Sequence, residues 1–213
     1  MPLVTCLAGR HDRVKVFVDG EFWAELDAGV AAERGLSEGT ALSEEELAGA
    51  RVAGERPLAM SRALNVLGYR ARSARELRER LLRAGYLGET VDEVISRLEE
   101  LGYLNDEEFA RELARAEARK YGPRRIYGDL RRAGIEEEAA REVVEEEFAG
   151  RSEHEAAREA ARRRYNTGGG SDAGRGQGSG QQARRVYGFL MRRGYSAGVC
   201  AEIAREYRGE TDQ

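Results

Sequence analysis

The amino-acid sequence predicts a mainly α-helical chain of tandem three-helix, helix-turn-helix-like repeats behind a small N-terminal β-hairpin module, on three observations. A ten-residue phrase occurs three times, at 77–86 (LRERLLRAGY), 126–135 (IYGDLRRAGI) and 186–195 (VYGFLMRRGY), each time an arginine-rich helix ending in glycine and a large apolar residue. Gly134 lies 49 positions after Gly85, and Gly194 lies 60 after Gly134. With those shifts Leu77, Ile126 and Val186 align, as do Leu81, Leu130 and Leu190, and, beyond the glycine, Val94, Val143 and Ile203. Repetition at this period marks a stack of similar helical units, which presents an extended surface. Helix-start signals recur in register with the phrase, and an Asp-Gly pair near the N-terminus separates two β-favouring runs.

In chain order, Val14, Val16 and Val18 alternate up to Asp19-Gly20, and the run 21–26 continues beyond it, which predicts a hairpin at about 13–26 because both turn positions need positive φ. Asp27 can cap a short helix that Gly35 ends, and Ser43 with Glu46 forms a capping box for the next. The module closes near Gly54 to Pro57, giving a first domain at 1–57. Ser73 with Glu76, Thr90 with Glu93, Asn105 with Glu108 and Ser152 with Glu155 each place a capping side chain three residues before an acid. The second copy has Gly122-Pro123 where the first has Ser73, a glycine cap followed by proline at the first helical position. Glycines 85, 134 and 194 suit the left-handed position that ends a helix, and the apolar positions 91, 94, 95, 98 and 101 give one buried stripe. Repeats follow at 58–104, 105–150 and 152–208, the third interrupted by a Gly/Ser/Gln-rich insert at 166–182 that reads as a flexible loop.

Charged residues make up 35 % of the 213 positions and aromatics 7 %, so each repeat has a thin core and a wet surface. No apolar run is long enough to span a bilayer and the first residues lack signal-peptide order, which leads us to expect a cytoplasmic protein with no membrane partner. Cys6 and Cys200 lie at opposite ends of the sequence, without metal-ligand spacing, and read as reduced thiols. The net charge of −4 conceals a sorting by segment: arginines cluster over 62–83, 111–132 and 162–193, with acids between them. A sorted surface can hold a basic stripe under an acidic total.

No nucleophile elbow, Walker loop or zinc motif is present, so we expect no catalytic residue, cofactor or metal. The acid runs 136–138 and 145–147 are explained by helix starts and exposed faces. Tyr86, Tyr103 and Tyr195 follow helix-ending glycines and read as core; Tyr127 and Tyr187 sit beside basic residues, where packing and base stacking compete evenly. The candidate binding residues are Arg75, Arg78, Arg83, Arg124, Arg125, Arg131, Arg132, Arg184, Arg185, Arg192 and Arg193. Arg75, Arg124 and Arg184 share one repeat position and Arg83, Arg132 and Arg192 another, a recurrence that solvation alone does not require.

The segments 63–86 (ALNVLGYRARSARELRERLLRAGY), 98–135, with its Asn105-Asp106 helix start and Tyr121-Gly122-Pro123-Arg124-Arg125 turn, and 186–196 (VYGFLMRRGYS) resemble the RecX family, bacterial regulators of the RecA recombinase. VFVDGEFWAEL at 16–26 and GLSEGTALSEEEL at 35–47 look like the N-terminal module of longer members. The resemblance implies an elongated, curved body lying in the groove of the RecA filament on single-stranded DNA. It also implies modulation, in the inhibitory direction, of filament growth, ATP hydrolysis, strand exchange and the co-protease activity behind the SOS response. We expect a monomer that contacts DNA only indirectly or weakly. The competing expectations are a direct DNA-binding repeat protein, with basic helices on phosphate, and a nuclease, for which no carboxylate constellation is found.

Overall fold

The computed structural model describes residues 1–150, 152–165 and 179–208. The chain divides into two compact units, Met1–Asn105 and Asp106–Gln213. The first unit opens with an antiparallel sheet, β1 (Val4–Arg10), β2 (Arg13–Val18) and β3 (Glu21–Asp27), in the order β1-β2-β3. Asp19 (φ 51°) and Gly20 (φ 85°) turn β2 into β3 as the Asp-Gly signal predicts. The predicted hairpin is thus two of three strands. The sequence hides β1 because its turn, at His11 (φ 59°) and Asp12, carries no glycine. Val4, Val14, Val16, Ala24 and Leu26 form the buried face of the sheet.

Asp27 Oδ1 accepts from the Val30 amide and starts α1 (Ala28–Glu33), and the Ser43–Glu46 capping box is complete at the start of α2 (Glu44–Leu67). The domain end predicted at Gly54 to Pro57 is not an end, because α2 runs through it. Gly54 is a contact glycine: a Cβ there would lie 2.8 Å from the Leu26 Cβ, so its absence lets α2 close on β3. Pro57 forfeits one helical hydrogen bond. The buried side chains of Leu47, Ala50, Leu58, Ala59 and Ala63 on either side hold the helix together through it.

The far half of α2 is the first helix of repeat 1, followed by α3 (Ala74–Arg83) and α4 (Gly88–Glu100) around Leu77, Leu81, Val91, Val94 and Leu98. In the second unit, α5 (Asp106–Glu117), α6 (Pro123–Ala133) and α7 (Glu137–Ala149) form repeat 2. Repeat 3 comprises α8 (Glu153–Tyr165), α9 (Ser179–Arg192) and α10 (Ala197–Glu206). Each first helix turns two buried alanines inward, Ala59 and Ala63, Ala110 and Ala114, Ala157 and Ala161. Small residues there let the other two helices pack closely. Gly85, Gly134 and Gly194 all have φ between 83° and 94°, as the repeated phrase predicts.

Several local expectations are corrected. Thr90 is not a cap: α4 starts earlier, with Leu87 at the N-cap, and Thr90 is buried in the first turn. Residues 179–182, expected within the flexible insert, form the first turn of α9; the rest of that insert lies outside the described residues. Tyr195 is buried and Tyr86 half-buried, but Tyr103 is 60 % exposed and Leu101 50 %, so the stripe on α4 ends at Leu98.

Candidate interaction surface

Two carboxylates that the sequence reading missed fix the geometry of the repeats. Glu55, 3 % exposed on α2, accepts from the Leu87 amide at 2.8 Å and from the Thr90 hydroxyl at 3.4 Å, and is held by Arg51 at 2.8 Å. It therefore supplies the N-terminal cap that Leu87 cannot, and ties α2 to α4. In repeat 3, Glu153 of α8 accepts from the Ser196 amide and, at 3.0 Å, from the Ser196 hydroxyl at the start of α10. Glu55, Asp106 and Glu153 each stand four residues before the first inward alanine, so an acid, Ala, Ala spacing at i, i+4, i+8 would have revealed the position.

Repeats 2 and 3 meet backbone to backbone. The Gly122 amide donates to the Arg193 carbonyl at 2.7 Å and the Arg124 amide to the Gly194 carbonyl at 3.1 Å. Gly122 and Gly194 lack the Cβ atoms that would collide here, each within 2.7 Å of the opposite strand of chain. Arg193 lies over the rings of Tyr121 at 5.3 Å and Phe189 at 4.9 Å and donates to the Lys120 carbonyl. This sequence-predicted binding residue is a strut of the junction.

The other candidate arginines differ in how far the fold already neutralises them. On α3, Arg75 and Arg83 converge on Glu79 at 3.1 and 3.4 Å, and Arg78 pairs with Asp92 of α4. On α6, Arg125 and Arg132 converge on Asp129, Arg125 at 2.8 Å, while Arg131 donates to the Ile135 carbonyl, in the turn beyond its own helix, at 2.6 Å. Arg124 on α6 and Arg184, Arg185 and Arg192 on α9 have no ion-pair partner among the described residues, and all four are exposed. The acids on the three equivalent helices number two (Glu76, Glu79), one (Asp129) and none. Positive potential accordingly concentrates on α6 and α9.

Among the described residues no group of three or more His, Cys, Asp or Glu side chains is placed to hold a metal ion. Burial pushes the Cys200 thiol up to about 11, so it stays protonated and unreactive. No helix of the described residues is long and apolar enough to cross a membrane.

The fold defines a helical-repeat protein with an exposed basic surface, and comparison with known proteins makes the class specific. The description "RecX, first three-helix domain" matches residues 59–98 and "RecX, second three-helix domain" matches 105–144. A regulatory protein RecX from Amycolatopsis mediterranei is 35 % identical over 154 residues, 69 % of this chain and 83 % of that protein. One from Listeria monocytogenes is 30 % identical over 137 residues, 63 % of this chain and 51 % of the relative, so the match spans about half that protein's length. A crystal structure of a regulatory protein RecX superposes with a TM-score of 0.57 at 22 % identity, covering 95 % of this chain and 98 % of that one. The structure of RecX from Lactobacillus salivarius gives 0.54 at 20 % identity, covering 73 % and 98 %. The chain belongs to the RecX family, whose matched members are described as regulatory proteins.

Proposed function

We propose that this chain is a cytoplasmic, monomeric regulator of homologous recombination and the SOS response. It binds the RecA filament on single-stranded DNA and restrains filament growth, ATP hydrolysis, strand exchange and co-protease activity. The observation that carries the proposal, beside family membership, is the set of four exposed arginines, Arg124 on α6 and Arg184, Arg185 and Arg192 on α9, that have no ion-pair partner among the described residues. Uncompensated charge on a repeat scaffold suits a partner that presents acidic groups at intervals. Such a regulator acts only through unequal affinity for alternative filament states, so it must bind a slow or disassembling state more tightly than the active one.

The test is RecA ATPase on single-stranded DNA as the chain is titrated in at two salt concentrations, with binding to naked DNA followed in parallel. We expect turnover to fall under conditions where naked DNA is barely bound. Tight binding to naked DNA, with log affinity falling about 0.7 per phosphate contact against log salt on single strands, would replace the proposal with direct DNA binding. Turnover unchanged at saturating chain would refute regulation of that recombinase.

A further inference from the structure

Two clefts in the second unit occupy the same place in successive repeats and share an arginine and a tyrosine, while Arg141 and Glu145 of the first give way to Ala201 and Arg205 in the second, which Arg208 also lines. The cleft between α6 and α7, about 350 Å³, is lined by Pro123, Arg124, Tyr127, Arg141, Val144 and Glu145. Adding the repeat shift of 60 to each of those numbers gives Ala183, Arg184, Tyr187, Ala201, Ala204 and Arg205, which line the cleft of about 300 Å³ between α9 and α10. An arginine and a tyrosine three residues apart recur over a floor of small apolar side chains. Neither Arg124 nor Arg184 has an ion-pair partner among the described residues, and Tyr187 is 37 % exposed. The equivalent place in repeat 1 is bridged: Arg78 and Asp92 stand where Tyr127 and Arg141 stand, and pair with each other.

The chemistry selects an occupant. A cation above an apolar floor, beside a phenol that can donate a hydrogen bond, matches a carboxylate next to an aliphatic side chain. Glu145 lines the α6–α7 cleft, and Glu137 engages Arg141 beside it, which opposes a run of phosphates there. The geometry points to two equivalent docking seats, one in each repeat of the second unit, for a protein segment that carries an acidic residue beside an aliphatic one and that the partner displays more than once. Engaging both seats multiplies affinity without new kinds of contact, provided the spacing of the partner's copies matches. The identity of the repeating partner rests on the filament proposal above; the chemistry of the seats does not.

The experiment pairs variants of the full chain, Arg124→Gln with Tyr127→Ala for one seat and Arg184→Gln with Tyr187→Ala for the other, and a variant carrying all four, each checked for native helical content. Binding is measured to the RecA filament, to an oligo(dT) strand, and to an immobilised N-acetylated peptide of alternating glutamate and leucine. We expect loss of either seat to weaken filament binding about tenfold, loss of both to weaken it further, and oligo(dT) binding to stay unchanged. Folded variants that bind the filament as wild type would overturn the seats, and an equal loss on oligo(dT) would make them nucleic-acid contacts. Should the wild-type chain bind no filament, the filament proposal fails and the peptide decides: capture that the four-residue variant loses upholds the seats, and no capture overturns them.

Discussion

Repeats 1 and 3 carry the same arginine phrase and put it to different use. On α3 the arginines at the two recurring positions, Arg75 and Arg83, face the same Glu79; on α9 their counterparts Arg184 and Arg192 flank Gly188 at the corresponding place. The difference teaches that a recurring cation defines a binding surface only where the fold has not already supplied its anion. An exposed pair is worth only about 0–1 kcal/mol, so Glu79 does not lock its arginines, but a partner must compete for them. The two repeats diverge in the same way at the glycine after the helix. Gly85 has open space around it, whereas Gly194 is pressed against Arg125.

The largest effect should come from that glycine pair. A Cβ on Gly194 would lie 2.4 Å from the Arg125 backbone nitrogen, at a φ of 83° that already disfavours a side chain. We expect Gly194→Ala to destabilise by more than about 3 kcal/mol, and Gly85→Ala by only about 1–2 kcal/mol, the backbone strain alone. Urea unfolding followed by circular dichroism measures the difference. Hydrogen exchange at 120–126 should rise only in the Gly194 variant, and equal costs at the two glycines would mean that repeats 2 and 3 are not joined as described.

Next in size are the two acids that cap a third helix from a first. Glu55→Ala strands the Leu87 amide, the Thr90 hydroxyl and the Arg51 guanidinium, and should cost about 3 kcal/mol. Glu153→Ala, at a half-buried site where Ser196 can turn to water, should cost about 1–2 kcal/mol. A reversed order in urea midpoints would show that Arg51 contributes little to the cost at Glu55.

Turn chemistry made much of this fold legible. Asp19-Gly20, the Ser43 box, Gly122-Pro123 and the three helix-ending glycines are local signals, and each does in the structure what its residue types dictate. The tertiary features stayed hidden. Pro57 and Gly54 read as a boundary because their local preference is to break helices, while the packing of α2 on β3 and on the repeat 1 core outweighs it. The recurrence of the candidate arginines was legible too, but not which of them the fold neutralises. Asp92 reaches Arg78 from another helix, and Asp129 holds Arg125 and Arg132 from a place where α3 has Arg80.

Charge variants sharpen the comparison directly. Glu79→Gln releases Arg75 and Arg83 without moving the helix, and should tighten binding to the proposed filament partner by a factor of about two to five, more at low salt. Asp129→Asn should act alike on Arg125 and Arg132. Because α9 has no acid to remove, the matching experiment there is Arg192→Gln, with weakened binding expected. A filament affinity unmoved by Glu79→Gln would place repeat 1 outside the contact.

The smallest effect expected concerns a single carboxylate of repeat 2. Glu117, at the end of α5, has one oxygen buried without a hydrogen-bond partner, and desolvation raises its pKa against the pull of Arg125, Arg132 and Lys120. A carboxyl whose folded pKa lies above its unfolded value favours folding most when protonated. Its contribution is therefore complete below the unfolded pKa and is lost as pH rises through the folded one. Glu117→Gln, which cannot ionise, should leave stability near pH 3.5 almost unchanged and raise it at pH 7 by less than about 1 kcal/mol. Thermal unfolding of the two proteins at both pH values measures this. Equal melting temperatures at pH 7 would mean that the three neighbouring cations already offset the desolvation, and that this end of repeat 2, unlike α9, is electrostatically balanced.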